Sequence, residues 1–147
     1  MQTIRPYNAC HIEQVVKLWW KTWHQTFPQV KHPQPYSLWK ARFENDITLR
    51  GNIWVAEVES CIVGFVVVME KEKELNQLFV DFNYQNRGIG KALLETAKAI
   101  SPQGLWLQTL QSNKKACLFY EKHDFKPGKP LRNKINGQPN IEYRWRQ

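Results

Sequence analysis

The chain has 147 residues, 42% of them hydrophobic, and 21 Lys and Arg against 13 Asp and Glu give a formal charge of +8. That length suits a single domain, residues 1–147, whose core needs no metal or disulfide staple. Cys10, Cys61 and Cys117 lie far apart without metal-ligand spacing, no run approaches the about 20 apolar residues of a membrane span, and the first residues lack a signal-peptide pattern, so the expectation is a cytoplasmic protein with reduced thiols, no metal and no membrane contact.

In chain order, "TIRPY" (3–7) reads as a strand, and Asn8 can cap a helix carrying Ile12, Val15, Val16, Trp19 and Trp23 on one face. "FPQVKHPQPYS" (27–37) holds three prolines and is expected to be a loop. A second amphipathic helix carries Leu38, Phe43 and Ile47 and ends at Gly51. Three β-rich runs, 52–58, 61–69 and 74–81, suggest an antiparallel meander. Residues 88–100 pattern as a helix, 105–110 as a strand and 113 to about 123 as a helix, so 74–81 and 105–110 form a parallel pair with a right-handed crossover. A strand near "DFKP", a loop over 128–140 and a closing strand 141–146 complete a mixed α/β chain of about seven strands and about four helices.

The segment "DFNYQNRGIGKALLETAKA" (81–99) places a cationic, glycine-bearing turn between strand and helix. The amides of Gln85 to Lys91 stand at a helix start, where they lack intrahelical partners and the dipole favours an anion. Gly88 and Gly90 let that anion approach the backbone, and Arg87 and Lys91 add charge. Glycines of a plain turn are the bland alternative. A P-loop is excluded because Gln85 and Ala92 stand where GxxxxGK[ST] needs Gly and Ser or Thr. A dinucleotide fingerprint is excluded because "GIGKAL" ends in Leu93.

What remains is Gln-x-x-Gly-x-Gly, and about 20 residues on comes "NKKACLFYEKHDF", Asn-x-x-Ala-x-x-Phe-Tyr-x-x-x-x-Phe. Together with the hairpin "IWVAEVESCIVGFVVV", these motifs resemble, in order, those of the GNAT superfamily of acyl-CoA-dependent N-acyltransferases, over nearly the whole chain. One departure is Asp124 where that family commonly has Gly, which is expected to alter the turn without touching the cofactor site.

The resemblance implies acetyl-CoA as co-substrate. Its pyrophosphate would lie on the amides of Gln85, Asn86, Arg87, Gly88, Ile89, Gly90 and Lys91, and its pantetheine arm along exposed backbone of Leu78, Phe79 and Val80. Asn113 would reach the same arm or cap its helix, and both roles can hold together. Tyr120 is the family's candidate acid for the departing thiolate; a phenol, with pKa about 10 against about 8.5 for a thiol, stays protonated at neutral pH. Core packing is its alternative. Glu74 stands where some members carry a base acting through water, and strand alternation would put Glu74, Asn76, Leu78 and Val80 on one face, toward an acceptor cleft. Against that, Glu74 belongs to the charged run "EKEKE", whose ordinary place is a solvated hairpin edge.

Trp20, His24, Phe27 and Tyr36 are candidates for lining the acceptor pocket. The implied activity is transfer of an acetyl group to a primary amine, of a small molecule, a lysine or a peptide N-terminus, by direct attack in a ternary complex. A non-catalytic acyl-CoA sensor and a basic nucleic-acid-binding module are the alternatives. Nucleic acid is disfavoured because the basic residues are dispersed and no reading motif occurs. Monomer and homodimer both fit.

Overall fold

A computed structural model describes residues 2–28, 34–132 and 139–146. Its seven strands are β1 (Gln2–Pro6), β2 (Asn52–Val58), β3 (Cys61–Met69), β4 (Glu74–Val80), β5 (Leu105–Leu110), β6 (Lys126–Arg132) and β7 (Pro139–Trp145). They form one sheet in the order β1-β2-β3-β4-β5-β7-β6. Every neighbouring pair is antiparallel except β4 and β5, which are parallel as expected. The helices are α1 (Ile12–Thr26), α2 (Tyr36–Arg42), α3 (Thr48–Arg50), α4 (Ile89–Ile100) and α5 (Lys114–Lys122). A π turn, Phe43–Ile47, joins α2 to α3 into one helical stretch, so four helical bodies flank the sheet.

The continuous apolar run of β3 marks a strand covered on both faces. Phe65 and Val67 pack with Val15, Val16, Trp19, Trp39 and Phe43 of α1 and its neighbours, while Val66 and Val68 pack with Leu93, Leu94 and Ala97 of α4. α5 joins the second layer through Tyr120. Asn8 caps the turn before α1 by accepting from the Cys10 amide at 3.0 Å, and Gly51 closes the second helical stretch, its amide donating to Ile47 O at 2.8 Å.

Two sets of expectations need correction, the loop bounds and the alternation along β4. The span 128–140 is not a loop throughout: β6 and β7 form an antiparallel hairpin, with residues 133–138 outside the described ones. Pro127 and Pro130 argue against an interior strand, but β6 is the sheet's edge, where a missing N–H costs no ladder bond, and a register shift lies between them. Tyr36 and Ser37 open α2 rather than extend the proline-rich loop, of which residues 29–33 lie outside the described ones.

Second, simple alternation fails in β4. Val67 pairs with Gln77 and Val68 with Leu75, leaving Asn76 as the extra residue of a β-bulge. Leu75 therefore shares the α4 layer with Leu78 and Val80, whereas Glu74, paired with Met69, shares the opposite layer with Phe79. Glu74 and Leu78 thus lie on opposite faces.

Candidate active site

Beyond the pair Glu74 and Trp106, no further register pair joins β4 to β5 among the described residues. Trp106 N donates to Lys73 O at 3.0 Å, and from there the strands part. β5 is held instead by β7 along its whole length. The gap leaves β4 backbone from Gln77 to Val80 beside open space on that side. Such unladdered N–H and C=O groups are ready to bind an extended amide-bearing chain.

The turn after β4 is tied back to the strand end. Gln85 Nε2 donates to Val80 O at 2.9 Å, and Lys115 Nζ of α5 donates to Gln85 Oε1. Gly88 caps α4 with φ +83°, the left-handed region glycine enters without strain, and a Cβ built there would meet nothing within 4 Å among the described residues. The first ladder bond of α4 runs from Ala92 N to Gly88 O, so the amides of Ile89, Gly90 and Lys91 precede the helical ladder. Arg87 sits 5.1 Å over the Tyr84 ring, keeping its charge beside the turn. Free amides, a helix start, open space and cations together fit a pyrophosphate.

A cleft of about 310 Å³ passes through the gap between β4 and β5. On the α5 side it is lined by Asn113, Ala116 and Tyr120; on the α1 side by Trp19, Trp23, Phe27, Trp39 and Arg42. Glu74, Asn76, Leu78 and Phe79 border it along β4, and Gln108 and Asn140 along β5 and β7. The cleft therefore connects the two layers of the protein.

Asn113 caps α5, its Oδ1 accepting from the Ala116 amide at 3.1 Å, while still bordering the cleft. Tyr120 is 7% exposed and packs on Phe119, Phe125 and Tyr143. Burial pushes its phenol well above a tyrosine's ordinary value, with the neighbouring Cys117 adding in the same direction. It is a protonated donor at neutral pH. Asp124 does not disturb this arrangement: it takes the left-handed conformation, φ +74°, that the family's glycine would.

Of the candidates for the acceptor side, Phe27 lies in the cleft wall, but Trp20, His24 and Tyr36 do not. They pack behind that wall: Trp20 lies 4.4 Å from His24 and 5.8 Å from Tyr36 between ring centroids, His24 lies 5.7 Å from Trp39, and His24 Nδ1 is 2.7 Å from Trp20 O. Sequence reasoning overlooked Trp39, Arg42, Gln108 and Asn140. Gln108, a polar residue in the apolar strand "LWLQTL", carried a readable signal; Arg42 on a helix did not.

Residues 50–127 match the family model described as Acetyltransferase (GNAT) domain. The chain belongs to the GNAT acetyltransferases. It is similar to the uncharacterized N-acetyltransferase YafP of Escherichia coli (strain K12), at 26% identity over 138 residues, covering 91% of this chain and 87% of that protein. Among solved structures, a GCN5-related N-acetyltransferase from Rhodopseudomonas palustris superposes with TM-score 0.83 at 16% identity, covering 100% of this chain and 96% of the other. The PaiA N-acetyltransferase of Thermoplasma acidophilum, in complex with coenzyme A, superposes with TM-score 0.77 at 19% identity, covering 100% and 99%. These two share the fold. This GNAT chain is an acetyl-CoA-dependent acetyltransferase. Among the described residues no helix is long and apolar enough to cross a membrane, and none of the His, Cys, Asp and Glu side chains cluster as a metal site.

Proposed function

We propose that this chain transfers an acetyl group to a primary amine by direct attack in a ternary complex, the donor lying on the α4 and α5 side of the sheet and the acceptor entering from the α1 side. One observation carries this reading: a single cleft runs through the parted strands with Tyr120 on one side and Glu74 on the other. Acetyl-CoA, when bound, supplies an activated acetyl thioester. The amides of Arg87 to Lys91 hold its pyrophosphate, and β4 backbone from Leu78 to Val80 receives the pantetheine amides. Asn113 borders the same channel and serves both as cap and as contact.

A free amine is protonated at neutral pH and must lose a proton before it attacks. Glu74 faces the α1 layer, where the acceptor approaches, and takes that proton directly or through a water. Tyr120 gives a proton to the leaving sulfur on the opposite side, which its buried, protonated phenol suits. Acid and base are thus divided between the two mouths of the cleft. The test is a panel of amines assayed with acetyl-CoA for free thiol release, on wild type and Glu74→Gln. Expected is turnover that falls at least about tenfold in the variant, with acetyl-CoA affinity retained; absence of CoA binding by calorimetry overturns the reading.

A further inference from the structure

Resting on that reading, we infer that the acceptor is a small primary alkylamine that carries an aromatic ring and a carboxylate, a free aromatic amino acid being its simplest form. The inference starts from Arg42. Its guanidinium lies 5.7 Å over the Trp19 ring and borders the cleft. Stacking uses the face of a guanidinium; its five N–H donors point outward in the plane and still need acceptors. Among the described residues no hydrogen bond or ion pair takes them. Asp46, one turn along the same helical stretch, is held by Arg50 at 2.6 Å. A cation fixed in place, forked and unpaired at the acceptor mouth suits a carboxylate bound through both oxygens.

The wall beside it is aromatic. Trp19 and Trp39 lie 4.7 Å apart, Trp23 lies 5.9 Å from Trp39, and Trp23 lies 5.2 Å from Phe27. Trp19 and Trp39 are each 3% exposed and back the wall, so Trp23 and Phe27 offer the surface on which a flat ring gains contact and stacking that an aliphatic chain does not. Across the cleft, Asn140 is 5% exposed; its Nδ2 donates to Gln108 Oε1 at 3.3 Å, but among the described residues its buried Oδ1 has no partner. Beside it Gln108 is exposed to the cleft, and its Oε1 keeps a second lone pair for an N–H of the incoming molecule. Carboxylate, ring and N–H donor coincide in an aromatic amino acid.

The experiment compares tryptophan with tryptamine, phenylalanine with phenethylamine and with phenylalanine amide, and alanine, each with saturating acetyl-CoA and thiol release as the readout. Expected is a kcat/KM at least about tenfold higher for each acid than for its decarboxylated or amidated partner, and higher for tryptophan than for alanine. Arg42→Gln, with folding checked by its melt in the presence of CoA, collapses the acid-to-amine ratio toward one. Equal or faster turnover of tryptamine by wild type, or an unchanged ratio in Arg42→Gln, overturns this inference while leaving acetyl transfer to amines intact. Calorimetry of tryptophan against the CoA-bound protein separates the two readings in the other direction. Tryptophan binding that depends on Arg42 without any thiol release supports the carboxylate site and overturns the transfer reading.

Discussion

Phe125 is joined to Tyr120 twice: its amide donates to the Tyr120 carbonyl at 3.0 Å, and the two rings lie 5.5 Å apart. With Asp124 N donating to Glu121 O at 3.3 Å, this is the Schellman ending of α5, complete with the apolar contact that accompanies it. Lys98 Nζ of α4 adds a hydrogen bond to the next carbonyl, His123 O, at 2.9 Å. The helix end therefore fixes where the Tyr120 side chain starts.

The same motif explains the residue at which this chain departs from its family. The position after the helix cap must be left-handed, and Asp124 pays a steric penalty there that glycine avoids. Asp124 is exposed, so nothing is lost by trimming it. Asp124→Gly is expected to raise stability by about 0.5–1 kcal/mol, visible as a higher denaturation midpoint at unchanged slope, with kcat unaltered. A lower midpoint means that the aspartate side chain contributes more than its backbone strain costs.

Tyr120→Phe removes the phenol and little else, because the ring contacts remain. Turnover is expected to fall about a hundredfold, with acetyl-CoA affinity within about twofold of wild type. Burial holds the proton on Tyr120, so kcat shows no descending limb from this group below pH 10. The unfolded chain's tyrosine ionises first as pH rises, so the associated stability is full below pH 10 and is lost above it. Melting temperatures measured across pH 9 to 12 fall for the wild type and fall less for the Phe variant. A kcat equal to wild type removes Tyr120 from the chemistry.

Much of the α4 and α5 side of the candidate site was legible because it is written in local chemistry. Gly88 at a left-handed helix cap, Gln85 at the turn and Asn113 at a cap each act within a few residues of themselves, so their spacing announces them. The α1 side of the cleft was not legible, because Arg42, Trp39, Gln108 and Asn140 meet only through tertiary packing of α1 and α2 against the sheet. The bulge at Asn76 was hidden for another reason. Period-two reasoning assumes an unbroken ladder, and nothing in "ELNQLFV" marks the extra residue. The prolines of β6 misled in the opposite sense, since only the sheet order reveals it as an edge.

The two glycines of the turn have different tasks, and alanine separates them. At Gly88 the backbone is left-handed, so Gly88→Ala costs about 1 kcal/mol, about 3 °C in Tm, although space for the Cβ is open. That open space lies before the free amides, and acetyl-CoA binding is expected to weaken about tenfold. At Gly90 a Cβ would rest 3.5 Å from the Phe119 ring, an ordinary contact, inside a helix where alanine is preferred. Gly90→Ala is expected to stabilise by about 0.5 kcal/mol. Melting curves of both variants check the pair; equal losses at the two positions contradict the left-handed assignment at Gly88.

Deleting Asn76 tests whether the bulge has a task beyond its place in β4. Asn76 is the extra residue, so its removal leaves Leu75, Leu78 and Val80 on the α4 face and Glu74, Gln77 and Phe79 on the other, now in unbroken period-two alternation. The deletion variant loses only the local kink and is expected to fold within about 1 kcal/mol of wild type, as is Asn76→Ala, which keeps the bulge. Thermal melts check both; a deletion variant that melts far below wild type shows that the kink itself holds the sheet. Because Glu74 keeps its facing toward the α1 layer, turnover is expected to persist. A folded deletion variant without thiol release shows that the kink, and not the facing alone, positions β4 for transfer.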